Sequence, residues 1–484
     1  MLASDLPTDR IEDGTFAALW SQITRIHGCA RPIRLTGHIR HVDRATGEIR
    51  TVFDSAGLPD GTILVPCGNR RASVCSSCSY LYAGDAWQIV HAGVSGGFDV
   101  PDTVTQHPGL FVTVTAPSFG AVHSRRANHG PTRKCNDQHG RCPHGHARGC
   151  QRTHADNDPH LGAPICPDCH DTARLVVWNR HAPRLWKRTI DLTYRRLAHV
   201  TGTSERQTRH TVRISYIKVA EGQKRGAIHF HAVFRLDDAT TPPGTWAPPP
   251  VWATTDLLAA CWRWAVRHAE QPCPNPHRHR SPDAPATLTA RWGAQERTEP
   301  LTVDGGDLTV RTVANYLAKY TTKSVTDSGA LDRRIRNAED LYDRCAQIPT
   351  HLADIVKTAW MLAAWPQFRA LGMDTWAHQF GFNGHWITKS RTYSTTFARC
   401  RERRRTWART HSPDGGERTP LDAWGRDFDD DIVITLAEWQ FHATGYARTG
   451  DQLLADMAAD QARSRREAAR AATDQTFDIE RIAS

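Results

Sequence analysis

The 484-residue chain has very little lysine: only 8 of its 61 basic residues are Lys. Arginine therefore carries nearly all of its positive charge. Guanidinium forks bind phosphate oxygens in pairs, which suits a nucleic-acid partner, although GC-rich coding produces the same bias. No run of eighteen apolar residues occurs, so no membrane-spanning helix is expected. The N-terminus lacks the pattern of a secretory signal, and a cytoplasmic protein is expected. No Gly-x-x-x-x-Gly-Lys-Ser/Thr stretch is found, so an intrinsic ATP-driven helicase is not expected. There is no internal repeat. The formal charge of +10 favours a polyanionic partner but says nothing about fold.

Cysteine, by contrast, is plentiful. Without an export signal the 13 cysteines are expected to be reduced, so their spacing points to metal rather than disulfides. Cys67, Cys75, Cys78, Cys135, Cys142, Cys150, Cys166 and Cys169 crowd into one region. Cys75-x-x-Cys78 and Cys166-x-x-Cys169 are paired knuckles of the kind that grip tetrahedral zinc. Two pairings stay open: two four-cysteine sites, or a knuckle-plus-knuckle site beside Cys135/Cys142/Cys150/His154 with Cys67 spare. One or two structural zinc ions are expected. Cys29, Cys261, Cys273, Cys345 and Cys400 stand alone and read as ordinary core or surface residues. Residues 118–163 are rich in His, Gly, Arg and Asn without periodicity, so apolar burial cannot fold them; zinc would supply the missing stabilisation.

Two further segments carry chemistry. Ile228 to Phe234 alternates as a strand does, with Ile228, Phe230, Ala232 and Phe234 on an apolar face and His229 and His231 projecting together from the other. Val310 to Lys323 reads as a helix. Thr312, Tyr316, Lys319, Tyr320 and Lys323 share one side, while Val310, Val313, Ala314, Leu317 and Ala318 cover the other. Paired imidazoles, paired phenols and ammonium groups point to chemistry on a phosphate. A hard metal on a phosphodiester also wants a carboxylate. Glu221 ends the strand before the histidines, and a short turn returns it near His229; Asp237 and Asp238 are runners-up.

Taken in order, these motifs carry a family likeness. Phe111-Val112-Thr113-Val114-Thr115-Ala116-Pro117, His229-Phe230-His231 and Tyr316-x-x-x-Tyr320 resemble the first strand, metal motif and two-tyrosine helix of the HUH superfamily of single-strand-nicking endonucleases. With Val65 to Arg71, Val177 to Trp186 and Gly384 to Arg391, residues from roughly 15 to 410 resemble the rolling-circle replication initiators of actinobacterial plasmids and integrative elements.

The resemblance implies an α+β fold: an HUH-type nuclease core with a five-stranded antiparallel sheet and helices on one face. It also implies a Mg²⁺ or Mn²⁺ ion on His229, His231 and Glu221. Tyr316 or Tyr320 would attack the scissile phosphate, with Lys319 or Lys323 stabilising charge. The products would be a 5′-phosphotyrosine and a 3′-hydroxyl primer. Implied partners are single- and double-stranded origin DNA, a host helicase and a host polymerase. Four regions are expected: an N-terminal region with the first knuckle (1–107), a core (108–326) with a zinc-binding insertion at about 118–171, a helical DNA-binding region (327–450) and a mobile helical tail (451–484).

Three other readings fit part of the sequence. A transposase of insertion elements shares the core and the tyrosines but not the flanks. A conjugative relaxase places its tyrosine before the histidines, the reverse of the order here. A non-catalytic zinc-dependent DNA-binding regulator would leave His229, His231, Tyr316 and Tyr320 without a task.

Overall fold

The computed structural model describes residues 8–125, 133–136, 138–278, 281, 283–301, 310–322, 330–410 and 433–483. It is a mixed α+β protein with antiparallel sheets. The chain opens with α1 (Thr8–Glu12), α2 (Phe16–Arg25), β1 (Ile33–Asp43), β2 (Ile49–Asp54), β3 (Ile63–Val65) and α3 (Ser76–Ser95). Next come β4 (Gly109–Val114), α4 (Thr172–Thr201), α5 (Glu205–Thr211), β5 (Val212–Gly222) and β6 (Ile228–Asp238). Then follow α6 (Thr255–His268), β7 (Gln271–Pro274), β8 (Thr287–Ala290), β9 (Glu296–Pro300) and α7 (Val310–Thr321). The remainder comprises α8 (Ala338–Cys345), α9 (Thr350–Leu362), α10 (Pro366–Arg369), β10 (Ile387–Lys389), α11 (Phe397–Thr410), β11 (Val433–Thr444) and α12 (Thr449–Ala483).

Two compact units divide the chain, one formed by residues 84–400 and the other by 1–83 with 401–484. These limits cut across the four regions expected from sequence.

In the first of these units a five-stranded antiparallel sheet has the order β10-β5-β6-β4-β9. Strict alternation gives β6 two different faces. Phe230, Ala232 and Phe234 join Leu110, Val112 and Val114 of β4 in the main core. There they meet Trp186 of α4 and Trp262 of α6. The Asp171 carboxylate caps α4 by accepting from Arg174 N, and Gly202 ends it in the left-handed conformation at φ 68°. The opposite face is covered as well. Phe111, Ile217, Val219 and Val233 are apolar there too, and Ile89, Val90 and Val94 of α3 and Val313, Ala314 and Leu317 of α7 cover them. The segment Trp386 to Phe397 supplies the edge strand β10 to this sheet and begins α11 at Phe397.

In the other unit β1 is paired with β11, β2 and β3. The strand β11 corrects the expectation of a mostly helical C-terminal region. Its β-branched and aromatic side chains fit a pleated surface, and it pairs along the whole of β1. The start of α12 is no free tail either: Leu454, Ala455 and Ala458 are buried with Leu19, Ile23 and Ile26. Arg10 locks α1 to α12. Its guanidinium is 1% exposed and donates to both Asp451 oxygens at 2.9 and 2.6 Å, and to Asp60 at 3.1 and 2.6 Å. No helix among the described residues is long and apolar enough to cross a membrane.

Candidate active site and metal clusters

Register builds the first cluster. In the β5–β6 hairpin Glu221 lies opposite His229 and Val219 opposite His231, so all three polar side chains rise from one face. Both imidazole Nε2 atoms meet the same carboxylate oxygen: Glu221 Oε2 is 2.7 Å from His229 and 3.3 Å from His231. The three donor atoms lie within 4.8 Å of one another. His231, 2% exposed, is fixed from behind, its Nδ1 2.9 Å from Thr113 Oγ1 on β4 and its ring stacked on Phe111 at 6.1 Å. The Gln223 side-chain amide lies 3.5 Å from His229 Nδ1. Two imidazoles and one carboxylate with an anchored outer shell suit a hard divalent cation with open positions.

The runners-up lie elsewhere. The Asp237 carboxylate is buried among Arg235, His107 and Ser215. That of Asp238 accepts from Thr240.

Helix α7 brings the phenols to this cluster. Its apolar stripe of Val313, Ala314, Leu317 and Ala318 is buried, and the Trp87 indole donates to Asn315 at 2.8 Å. The Tyr316 hydroxyl then sits 3.4 Å from His231 Nε2. The Tyr320 ring lies 5.4 Å from the His231 ring and 4.6 Å from that of Tyr316. Burial, a hydrogen bond shared with Tyr320 and the nearby Glu221 charge hold the Tyr316 hydroxyl protonated well above the ordinary phenol range. A cation at the three-donor site would oppose that shift. Lys319 is exposed on the same helix and makes no hydrogen bond or ion pair with this group among the described residues. Lys323 lies outside the described residues.

Sequence reasoning missed one cation here. Arg297 on β9 lies opposite Thr113, pairs with Glu299, and acts electrostatically on Tyr316. Its only sequence signal is alternation in a five-residue strand.

Nine of the 13 cysteines, with three histidines, fall into three groups of four donors: Cys29/Cys67/Cys75/Cys78, His123/Cys135/Cys150/His154 and Cys142/His144/Cys166/Cys169. Each group is close enough to hold one metal ion such as zinc. Neither pairing open from sequence occurs. The two knuckles belong to different groups, and Cys67 is not spare. Cys29, set aside as an ordinary residue, lies 3.8 Å from Cys75 and 3.7 Å from Cys78, sulfur to sulfur. Beside it Gly28 lets α12 approach: at φ 64° a Cβ there would come within 2.2 Å of Ala455 O.

A family model described as a replication initiator protein of the pSAM2 type matches residues 15–460, and the chain belongs to that family of replication initiators. It is 39% identical over 482 residues to a replication initiator protein of Streptomyces ambofaciens, covering 98% of this chain and 97% of the relative. No solved structure matches.

Proposed function

We propose that this replication initiator is an HUH-type, two-tyrosine endonuclease and strand transferase, acting in the cytoplasm on a rolling-circle origin. The observation that carries the reading is the convergence of His229 Nε2, His231 Nε2 and the Tyr316 hydroxyl around Glu221. His229, His231 and Glu221 would hold Mg²⁺ or Mn²⁺, which when bound polarises and orients the scissile phosphate.

In the reaction the phenol oxygen of Tyr316 or Tyr320 forms a bond to phosphorus as the bond from phosphorus to the 3′-oxygen breaks. The phenol proton leaves, and the departing 3′-oxygen gains one to become a hydroxyl. The ester link is conserved as a 5′-phosphotyrosine. The free 3′ end primes a host polymerase, while a host helicase separates the strands. A second tyrosine 4.6 Å away, ring to ring, permits a second transfer that closes the displaced strand. Arg297 and Lys319 supply positive charge beside the phosphate. The Cys- and His-rich clusters hold structural zinc. The strand at the nick is single-stranded and is held by arginine contacts and base stacking on tryptophan.

The test is nicking of a supercoiled origin plasmid by the His229→Ala/His231→Ala protein. The double variant is expected to bind origin DNA and leave it uncut; full nicking would remove the metal site from the mechanism.

A further inference from the structure

The order of the donors in the insertion is informative. Call the His123 group A and the Cys142 group B. Along the chain the donors then run His123 and Cys135 (A), Cys142 and His144 (B), Cys150 and His154 (A), Cys166 and Cys169 (B). The groups interleave pair by pair. We infer that the insertion is a cross-braced module of two zinc ions, each closing the loop that carries ligands of the other, with a third, independent zinc on Cys29, Cys67, Cys75 and Cys78. The inference rests on the reading of the thiol clusters as metal sites and adds Cys29, His123 and His144 as ligands.

Geometry supports tetrahedral ions. Zn–S bonds of about 2.3 Å and Zn–N bonds of about 2.05 Å place two sulfurs about 3.8 Å apart, sulfur and nitrogen about 3.5 Å, and two nitrogens about 3.3 Å. The sulfur pairs Cys29–Cys75, Cys29–Cys78 and Cys142–Cys166 lie at 3.8, 3.7 and 3.6 Å. Cys150 Sγ is 3.5 Å from His154 Nε2, and His144 Nδ1 is 3.3 Å from Cys169 Sγ. His123 Nδ1 and His154 Nε2 are 3.2 Å apart.

The outer shell agrees. His154 Nδ1 donates to Asp158 Oδ2 at 2.7 Å, which turns Nε2 inward as a ligand. Backbone N–H groups of Ser124, Cys67 and Ala30 donate to Cys135, Cys29 and Cys75 sulfurs at 3.1, 3.3 and 3.4 Å, favouring thiolates. His146 and Asp168 also approach Cys166. That set has only three donors with a single thiolate, and it does not complete a tetrahedron.

Interleaving has a physical consequence. Cys142 and His144 sit in the loop that ion A closes between Cys135 and Cys150. Cys150 and His154 sit in the loop that ion B closes between His144 and Cys166. Loss of either ion returns closure entropy to the chain that must present ligands to the other, and little apolar burial resists it. The module also bears on the nuclease hairpin: Lys224 Nζ, in the turn after Glu221, donates to Asp156 O at 2.5 Å.

The test is zinc stoichiometry of the full-length chain by native mass spectrometry, wild type against variants. Wild type is expected to carry three zinc ions and Cys29→Ser two. Cys135→Ser is expected to fall to one, because both ions of the module leave together. The ion retained on the Cys29 group reports that the unit of residues 1–83 and 401–484 has folded. His123→Cys and His144→Cys keep a donor in place and are expected to retain three. A Cys135→Ser chain that keeps two ions overturns the cross-brace alone. Wild-type protein without zinc overturns both the cross-brace and the metal reading beneath it.

Discussion

Replacing Thr113 by valine probes how the candidate metal site is built. Valine keeps the shape and the β-branching that suits β4, and removes only the hydroxyl 2.9 Å from His231 Nδ1. That hydroxyl sets which nitrogen of His231 faces Glu221. Loss of such an outer-shell partner costs about 10- to 100-fold in metal affinity, or about 1.4 to 2.7 kcal/mol. The Phe111 stack at 6.1 Å remains to orient the ring, so the lower end, about tenfold, is expected. Fold stability should fall by only about 1 kcal/mol, the net worth of one hydrogen bond. The assay is cleavage of a single-stranded origin oligonucleotide across a Mn²⁺ titration. Thr113→Val is expected to need about ten times more metal for half-maximal rate and to reach near wild-type rate at saturation. An unchanged half-saturation point would refute the reasoning, as would a lost rate that metal does not restore.

Other consequences concern stability. Asp451→Ala leaves the buried Arg10 with Asp60 alone, which should cost about 3 kcal/mol, the low end for breaking a buried pair. Denaturant unfolding would show it, and Arg10→Met/Asp451→Leu should recover much of the loss. Burial lowers the Lys218 ammonium to about 7, where it lies 4.1 Å over the Phe230 ring. The folded state then sheds a proton that the unfolded chain keeps until its ordinary lysine pKa, so stability should rise between pH 7 and about 10. Lys218→Met should abolish that rise in thermal melts across the pH range. Asp237 gives a slope of the same sign at the acid end. Burial would raise its pKa, but hydrogen bonds from His107, Arg235 and Ser215 hold it below the usual carboxylate range. Its contribution is present above about pH 4 and lost as the pH falls through the lowered value, and Asp237→Asn should flatten the acid limb of the same melts.

What the sequence revealed follows from the range of each signal. Period-two alternation put His229 and His231 on one face, a short turn brought back Glu221, and helical spacing separated the phenols of α7 from its buried stripe. Each of these depends on neighbours in the chain. The metal clusters do not. Cys29 meets Cys75 and Cys78 only after β1, β2 and β3 have folded between them. His123 and His144 are two among 26 histidines, and no local spacing marks them. Knuckles reveal that a metal site exists, whereas its partners are chosen by topology. The same limit hid β11, whose partner β1 lies at the other end of the chain.

The most direct test of the account is the fate of the 5′ end when the protein cuts a single-stranded origin oligonucleotide. Digestion and mass spectrometry should find the 5′-phosphate joined to Tyr316 or Tyr320 in wild-type protein. No adduct should form with Tyr316→Phe/Tyr320→Phe, which removes two hydroxyls and almost no volume. An adduct formed by that double variant, or a cut that leaves a free 5′ end, would contradict the account.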